Sequence, residues 1–244
     1  MTYCLGILLR SGLVLAADSR SNAGVDQVAL VKKLALFNVP NNRTIAILSA
    51  GNLATTQAVV TSLREALGTG RAGQDLNVVP SMFEAALMVG GKLRDIIARD
   101  GSYVQPYGDP SASFLVGGQI AGEAPRLFQI YSAGNFVEAS DRSRFLQIGE
   151  TKYGKPILDR ALAADCSLGQ AAKLALLSFD ATLRSNLSVG EPIDLLCYET
   201  GSFSTDKFET FESKDLYWTE LRQRYSDGLS GLVASLPPPP MWEH

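Results

Sequence analysis

Position 2 combines a hydroxyl with the prospect of a free amine, because Thr2 stands directly behind the initiator Met1. The rest of the chain makes that combination matter. Its only histidine is His244, the last residue printed, so no imidazole base sits inside the sequence. Ser-His-Asp and Cys-His nucleophile chemistry both need such a base, and paired-histidine zinc sites fail for the same reason. A hydrolase built on this sequence must use a carboxylate, a lysine or a terminal amine. Removal of Met1 leaves Thr2 with an α-amine whose reference pKa is ~7.7–8.0, partly neutral near neutral pH and able to take the hydroxyl proton.

Three further clusters fall where they can meet Thr2. Asp18-Ser19-Arg20 closes the strand expected to pair with the one that Thr2 begins. Lys32-Lys33 opens the next expected strand and brings an ammonium to the same end. Ser49-Ala50-Gly51 lies where a strand hands over to a helix near Asn52, and backbone N–H groups at such a start can stabilise an oxyanion. Lys33 would depress the α-amine pKa or itself accept the proton, with Asp18 holding it by an ion pair. Which amine moves the proton stays open at this level. Singly, each feature also has an ordinary structural meaning: a surface ion pair, a solvated strand edge, an N-cap. Their order along the chain favours the joint reading.

The elements that must position these groups follow from hydrophobic period. Apolar runs at 2–9 and 13–18 flank Arg10-Ser11-Gly12 and predict a tight hairpin. Strands are expected at 33–37 and 44–50, then helices at about 52–67 and 79–98, parted by Gly68–Gly73. Strands return at 112–118, 126–132, 135–139 and 144–148, followed by helices at 152–163 and 168–187. Strands at 193–200 and 203–210 and a polar helix at 213–225 complete the pattern. Strands and helices come in blocks, unlike the alternation of a doubly wound parallel sheet. This order predicts an α+β fold: a four-layer α-β-β-α sandwich of two mainly antiparallel sheets, with a helix pair on each outside face. Residues 1–230 are expected to form one domain and 231–244 a tail, with Pro237–Pro240 stiff and extended.

Composition removes several classes. A chain of 244 residues with 46% hydrophobic and 19% charged residues has a sizeable core. The net charge is −3 with scattered Lys and Arg, so nucleic acid is not an expected partner. No apolar run approaches the ~20 residues needed to span a bilayer, and the start lacks the features of a signal peptide. Cys4, Cys166 and Cys197 are an odd, dispersed set, which suggests reduced thiols in the cytoplasm rather than disulfides or a metal knuckle. Cys4 and Cys197 lie in apolar strands and are expected to be packing residues.

From Thr2 to Gly51 the chain resembles a proteasome-type β subunit, one of the N-terminal nucleophile hydrolases. The stretches that carry this are Thr2, Gly12–Arg20, Ala23-Gly24, Val31-Lys32-Lys33-Leu34 and Ser49-Ala50-Gly51. Residues 49–57 and Arg184–Gly190 are similar to the bacterial Anbu, or ancestral β-subunit, branch, and the resemblance extends over essentially the whole chain. It implies Thr2 as nucleophile, Asp18 and Lys33 as its partners, Gly51 as oxyanion donor and Ser188 as a support near the amine. Lys33 is preferred to Lys32 as the second lysine of the Val-Lys-Lys motif. Ser49 and Arg20 are the expected substrate-binding residues, Ser49 lining an unobstructed first specificity pocket. The implied activity is a threonine peptidase acting on peptides or unfolded polypeptides without metal or organic cofactor. It would be exposed by removal of Met1 alone and assembled into a large homo-oligomer, a ring or an open spiral. The tail with Met241-Trp242 could dock a neighbouring subunit or an unfoldase.

Two departures temper the expected turnover. Gly149-Glu150-Thr151 stands where the family carries a serine, and Ser185 where it carries an aspartate. Both positions support the N-terminal amine, so weak activity is expected. A small-molecule amidase of the same fold and a weakly active or inactive self-assembling scaffold are the competing readings.

Overall fold

The computed structural model describes residues 2–22, 28–71 and 73–242; Met1, the Ala23-Gly24 pair and His244 lie outside the described residues. Strands β1 (Tyr3–Leu9) and β2 (Gly12–Asp18) form the expected hairpin, in register from Leu9↔Gly12 to Cys4↔Ala17. Two short strands absent from the hydrophobic pattern follow, β3 (Arg20–Asn22) and β4 (Val28–Leu30), paired only with each other. Three residues per strand are too few to show a period, so the sequence hides this ribbon.

Strands β5 (Leu34–Val39), β6 (Arg43–Gly51), β7 (Ala112–Ile120), β8 (Arg126–Ile130) and β9 (Phe136–Glu138) make one antiparallel sheet in sequence order. The other sheet runs β10-β1-β2-β11-β12, with β10 (Phe145–Gly149), β11 (Ile193–Glu199) and β12 (Phe208–Phe211), and is also antiparallel throughout. The segment 203–207, expected as strand, is not part of β12.

Three apolar layers hold the sheets and helices together. Leu13, Leu15, Leu48 and Leu115 fill the space between the sheets. Helices α1 (Leu53–Glu65) and α2 (Met82–Val104) pack Val59, Leu63, Val89 and Leu93 on Phe114 and Phe128 of the β5–β9 sheet. Helices α3 (Lys155–Ala161) and α4 (Leu168–Ser185) cover the sheet that contains β1, where Leu158 and Phe179 meet Tyr3, Leu5 and Ile7. This is the expected four-layer α+β sandwich. Strands β1 and β2 are buried on both faces, which explains their unbroken apolar runs. Each fully buried Leu or Phe contributes ~1.5–3 kcal/mol against exposure.

Helix starts carry ordinary chemical signals. Asn52, Ser81 and Ser167 cap α1, α2 and α4, and Ser167 with Gln170 forms a capping box. The last helix departs from expectation: α5 (Leu216–Ser235) runs far past residue 225 and straight through Gly228 and Gly231. Pro240–Trp242 then forms a short 3-10 turn. Among the described residues no helix is long and apolar enough to cross a membrane.

Candidate active site

Thr2 sits just ahead of β1, half-buried, with its carbonyl accepting the Glu150 N–H at 2.7 Å. That contact explains Gly149, whose φ is +82° and where a Cβ would fall 1.9 Å from the Thr2 oxygen. Thr2 opens onto a cleft of about 480 Å³ shared with Lys33, Ser49 and Gly51. The far wall is one face of α1, where Gln57, Val60, Thr61 and Arg64 recur at helical spacing.

Asp18 ends β2 beside the start of β1 and has no solvent exposure. Its Oδ1 accepts the Tyr3 N–H at 3.0 Å and the Lys33 ammonium at 2.7 Å, and its Oδ2 accepts the Gly190 N–H at 3.2 Å. Burial pushes the Asp18 carboxyl above its ordinary value, while Lys33 and the two backbone donors pull it back down. The Lys33 ammonium also donates to the Arg20 carbonyl, so it is held from two directions. Lys33 itself precedes β5, and its carbonyl accepts the Ser49 N–H at 3.1 Å and the Ser49 hydroxyl at 3.5 Å. Strand pairing thereby sets Lys33 and Ser49 side by side at the cleft floor.

Gly51 closes β6 at φ +112°, and a Cβ there would stand 2.4 Å from the Ser111 carbonyl oxygen. Only glycine fits. The next residue, Asn52, donates its N–H to the same Ser111 oxygen at 2.9 Å and accepts the Thr55 N–H at 3.2 Å as the α1 cap. The strand-to-helix corner beside Thr2 is thus rigid.

Thr2, Asp18, Lys33, Ser49 and Gly51 come together at this one place. Arg20 and Ser188 stand apart from the cleft lining. The Arg20 guanidinium donates to the Leu187 carbonyl at 2.8 Å and lies against Gly190, where an added Cβ would come 2.1 Å from Nε. It pins the loop that delivers the Gly190 N–H to Asp18. Ser188, half-buried in that loop, donates its N–H to Asn186 Oδ1 at 2.9 Å.

Several participants were not visible in sequence. The Gly190 N–H and the Arg20 carbonyl are backbone groups, which side-chain patterns do not reveal. Behind the site, the Tyr3 hydroxyl is hydrogen-bonded to Ser178 Oγ at 2.6 Å and accepts from Gln147 Nε2 at 2.6 Å. Burial pushes its phenol pKa to about 12. Cys4 is sealed below the site, its thiol pushed far up by burial, and is not a competing nucleophile. Among the described residues no three His, Cys, Asp or Glu side chains are grouped to hold a metal.

Known proteins are similar to this chain over most of its length. The family model for the proteasome subunit matches residues 2–197. Proteasome subunit beta 1 of Thermococcus gammatolerans is 27% identical over 198 residues, covering 80% of this chain and 88% of that protein. Anbu from Yersinia bercovieri superimposes with a TM-score of 0.91 at 45% identity, over 97% of this chain and 98% of that one. The helical assembly of the Anbu complex from Pseudomonas aeruginosa gives 0.93 at 45% identity, over 99% of this chain and 100% of that one. The Anbu (Gly-1) mutant from Hyphomicrobium sp. strain MC1 gives 0.90 at 48%, over 98% and 99%. With its cleft, its buried Asp18-Lys33 pair and these relatives, the chain belongs to the proteasome subunit family, in the Anbu branch.

Proposed function

We propose that this protein is an N-terminal threonine peptidase, cleaving amide bonds of peptides or unfolded polypeptides once Met1 has been removed, at a modest rate. The observation that carries the reading is the Lys33 ammonium, buried against Asp18 at 2.7 Å on the cleft that Thr2 opens onto. Burying a charge pair is costly, and a purely structural position would tolerate an apolar pair as well or better. A site that must deliver an amine to a hydroxyl has reason to keep it.

In this reaction the Thr2 Oγ attacks the substrate carbonyl carbon while its proton passes to an amine, either the α-amine of Thr2 or Lys33. The carbonyl oxygen takes up the electron pair and is stabilised by the backbone N–H at Gly51. Collapse of the tetrahedral intermediate expels the leaving amine, which receives the proton, and leaves an acyl ester on Thr2. Water then attacks the ester carbon and restores the hydroxyl. No step calls for a metal or an organic cofactor.

Self-association is part of the proposal, in a cytoplasmic setting. The solved Pseudomonas relative is a helical assembly. On α5 of this chain, Leu229, Leu232 and Val233 are exposed and spaced for one helical face, and exposed Leu236 follows at its C-cap. A face of that kind supports packing against another copy.

The test uses Met1-free protein, verified by intact mass, with unfolded protein and fluorogenic peptides as substrates. Turnover should fall by ~10³-fold or more in Thr2→Ala, and strongly in Lys33→Ala. Full activity in Thr2→Ala would sink the nucleophile assignment, and turnover on small amides alone would make the protein an amidase.

A further inference from the structure

The cleft that Thr2 opens onto carries charge that the mechanism above leaves unused. Lys32, Lys33 and Arg64 line it, and among the described residues no Asp or Glu does. Asp18, outside the lining, offsets only Lys33. Lys32 and Arg64 are both exposed, and neither forms an ion pair among the described residues. The chain as a whole is acidic, with a net charge of −3, so two unpaired cations on one cleft run against its overall balance. Helix chemistry accounts for part of this. Arg64 stands in the last turn of α1, where a cation suits the helix dipole. Its neighbours one turn back, Val60 and Thr61, are uncharged, so that face of α1 gives it no carboxylate. Neither point covers Lys32, which lies between β4 and β5 and belongs to no helix.

We propose that this cleft selects peptides with acidic side chains on the acyl side of the scissile bond, read by Lys32 and Arg64. The inference rests on the peptidase reading, which supplies the occupant, and adds the substrate class. The acyl part stays tied to Thr2 as the ester, so it is the part that must fit between Thr2 and α1. Leu30, Leu53 and Val60 offer apolar contact to its backbone and side-chain stems, and the two cations take its carboxylates. From Leu53, beside the Gly51 corner, to Arg64 the helix rises ~16 Å. A single acidic side chain does not span that length, so a run of acids is favoured over one. A basic peptide meets the same charges as repulsion.

Met1-free Thr2→Ala protein cannot form the ester, so peptide affinity is read on it by fluorescence anisotropy without turnover. The probes are three hexapeptides that differ only in the two residues before a neutral C-terminal fluorophore: Glu-Glu, Gln-Gln or Lys-Lys. At ~0.01 M salt, where the Debye length is ~30 Å, Glu-Glu should bind ~4–20-fold tighter than Gln-Gln, and Lys-Lys should bind weakest. At ~1 M salt the advantage should shrink below about twofold. Arg64→Gln and Lys32→Gln should each cut the ratio by ~2–5-fold, and the double variant should bring it to about one. Lys173→Gln, exposed on α4 and outside the cleft lining, removes the same charge and should leave the ratio unchanged. Glu-Glu binding no tighter than Gln-Gln overturns the proposal, and that arm needs no cleft variant to fold. A preference that survives the double variant, or that Lys173→Gln abolishes equally, also overturns it. Acidic peptides held by the cleft but never cleaved by Met1-free wild type count against the peptidase reading alone.

Discussion

Lys33 Nζ and Asp18 Oδ1 stand 2.7 Å apart with side chains only 5% and 0% exposed, a buried charge pair beside the cleft. Two backbone N–H groups complete the carboxylate, and the Arg20 carbonyl takes a second ammonium proton. Removing one partner leaves the other charged and buried. Asp18→Ala should therefore destabilise the fold by about 3–5 kcal/mol, seen as a lower urea midpoint. Adding Lys33→Met to that variant should recover part of the loss, because the orphaned charge is gone. A double variant no more stable than Asp18→Ala would contradict this account.

The same pair sets a pH dependence with opposite signs for stability and turnover. Burial raises the folded-state pKa of Asp18, so the folded chain keeps that proton to a higher pH than the unfolded chain does. Its contribution to stability is full below the ordinary carboxylate value of about 3.9 and is lost as pH rises through the raised one. The ion pair with Lys33 forms only when the proton has left. The acid limb of kcat/KM should lie above the ordinary Asp range, while stability falls across that interval. Rate profiles and urea midpoints over the same pH series check both directions.

Gly51→Ala tests the corner beside Thr2. A methyl group there meets the Ser111 oxygen at 2.4 Å and must adopt a φ of +112°. Strain of this kind costs about 1–3 kcal/mol, and the chain relieves it by moving the end of β6. Turnover should fall by at least tenfold while the fold survives, as followed by peptide kinetics and circular dichroism together.

Helix α5 offers a contrast. Gly228 and Gly231 interrupt no turn, and a Cβ at either meets nothing within 4 Å. Within one subunit Gly228→Ala should stabilise the helix by ~0.5–1 kcal/mol. Leu232→Asp, on the neighbouring exposed face, should leave the subunit folded and shift the protein to smaller species by light scattering. An unchanged mass would remove this face from the assembly.

The hairpin, both large sheets, four of the five helices and the grouping of Thr2, Asp18, Lys33 and Gly51 were legible because each rests on side-chain pattern. Strands β1 and β2 announce themselves by apolar runs, and Gly51 by standing between strand and helix. Helix α5 runs past the expected end at 225, because its solvated backbone continues through Gly228 and Gly231. Arg20 was expected at the substrate, but its guanidinium is spent on the Leu187 carbonyl.

By itself the sequence determined which chemistry was available: with no internal histidine, the base had to be an amine or a carboxylate. It also determined that Thr2, Asp18, Lys33 and Gly51 would lie at strand ends, where a sandwich exposes its groups. Only the tertiary structure decided what surrounds them. The Gly190 N–H on Asp18, the Arg20 carbonyl on Lys33 and the Glu150 contact to Thr2 join residues far apart in the chain. All three use backbone groups, and the last depends on strand register as well. Such contacts leave no mark in composition or period, because they are set by where the chain passes and not by which residue it passes with.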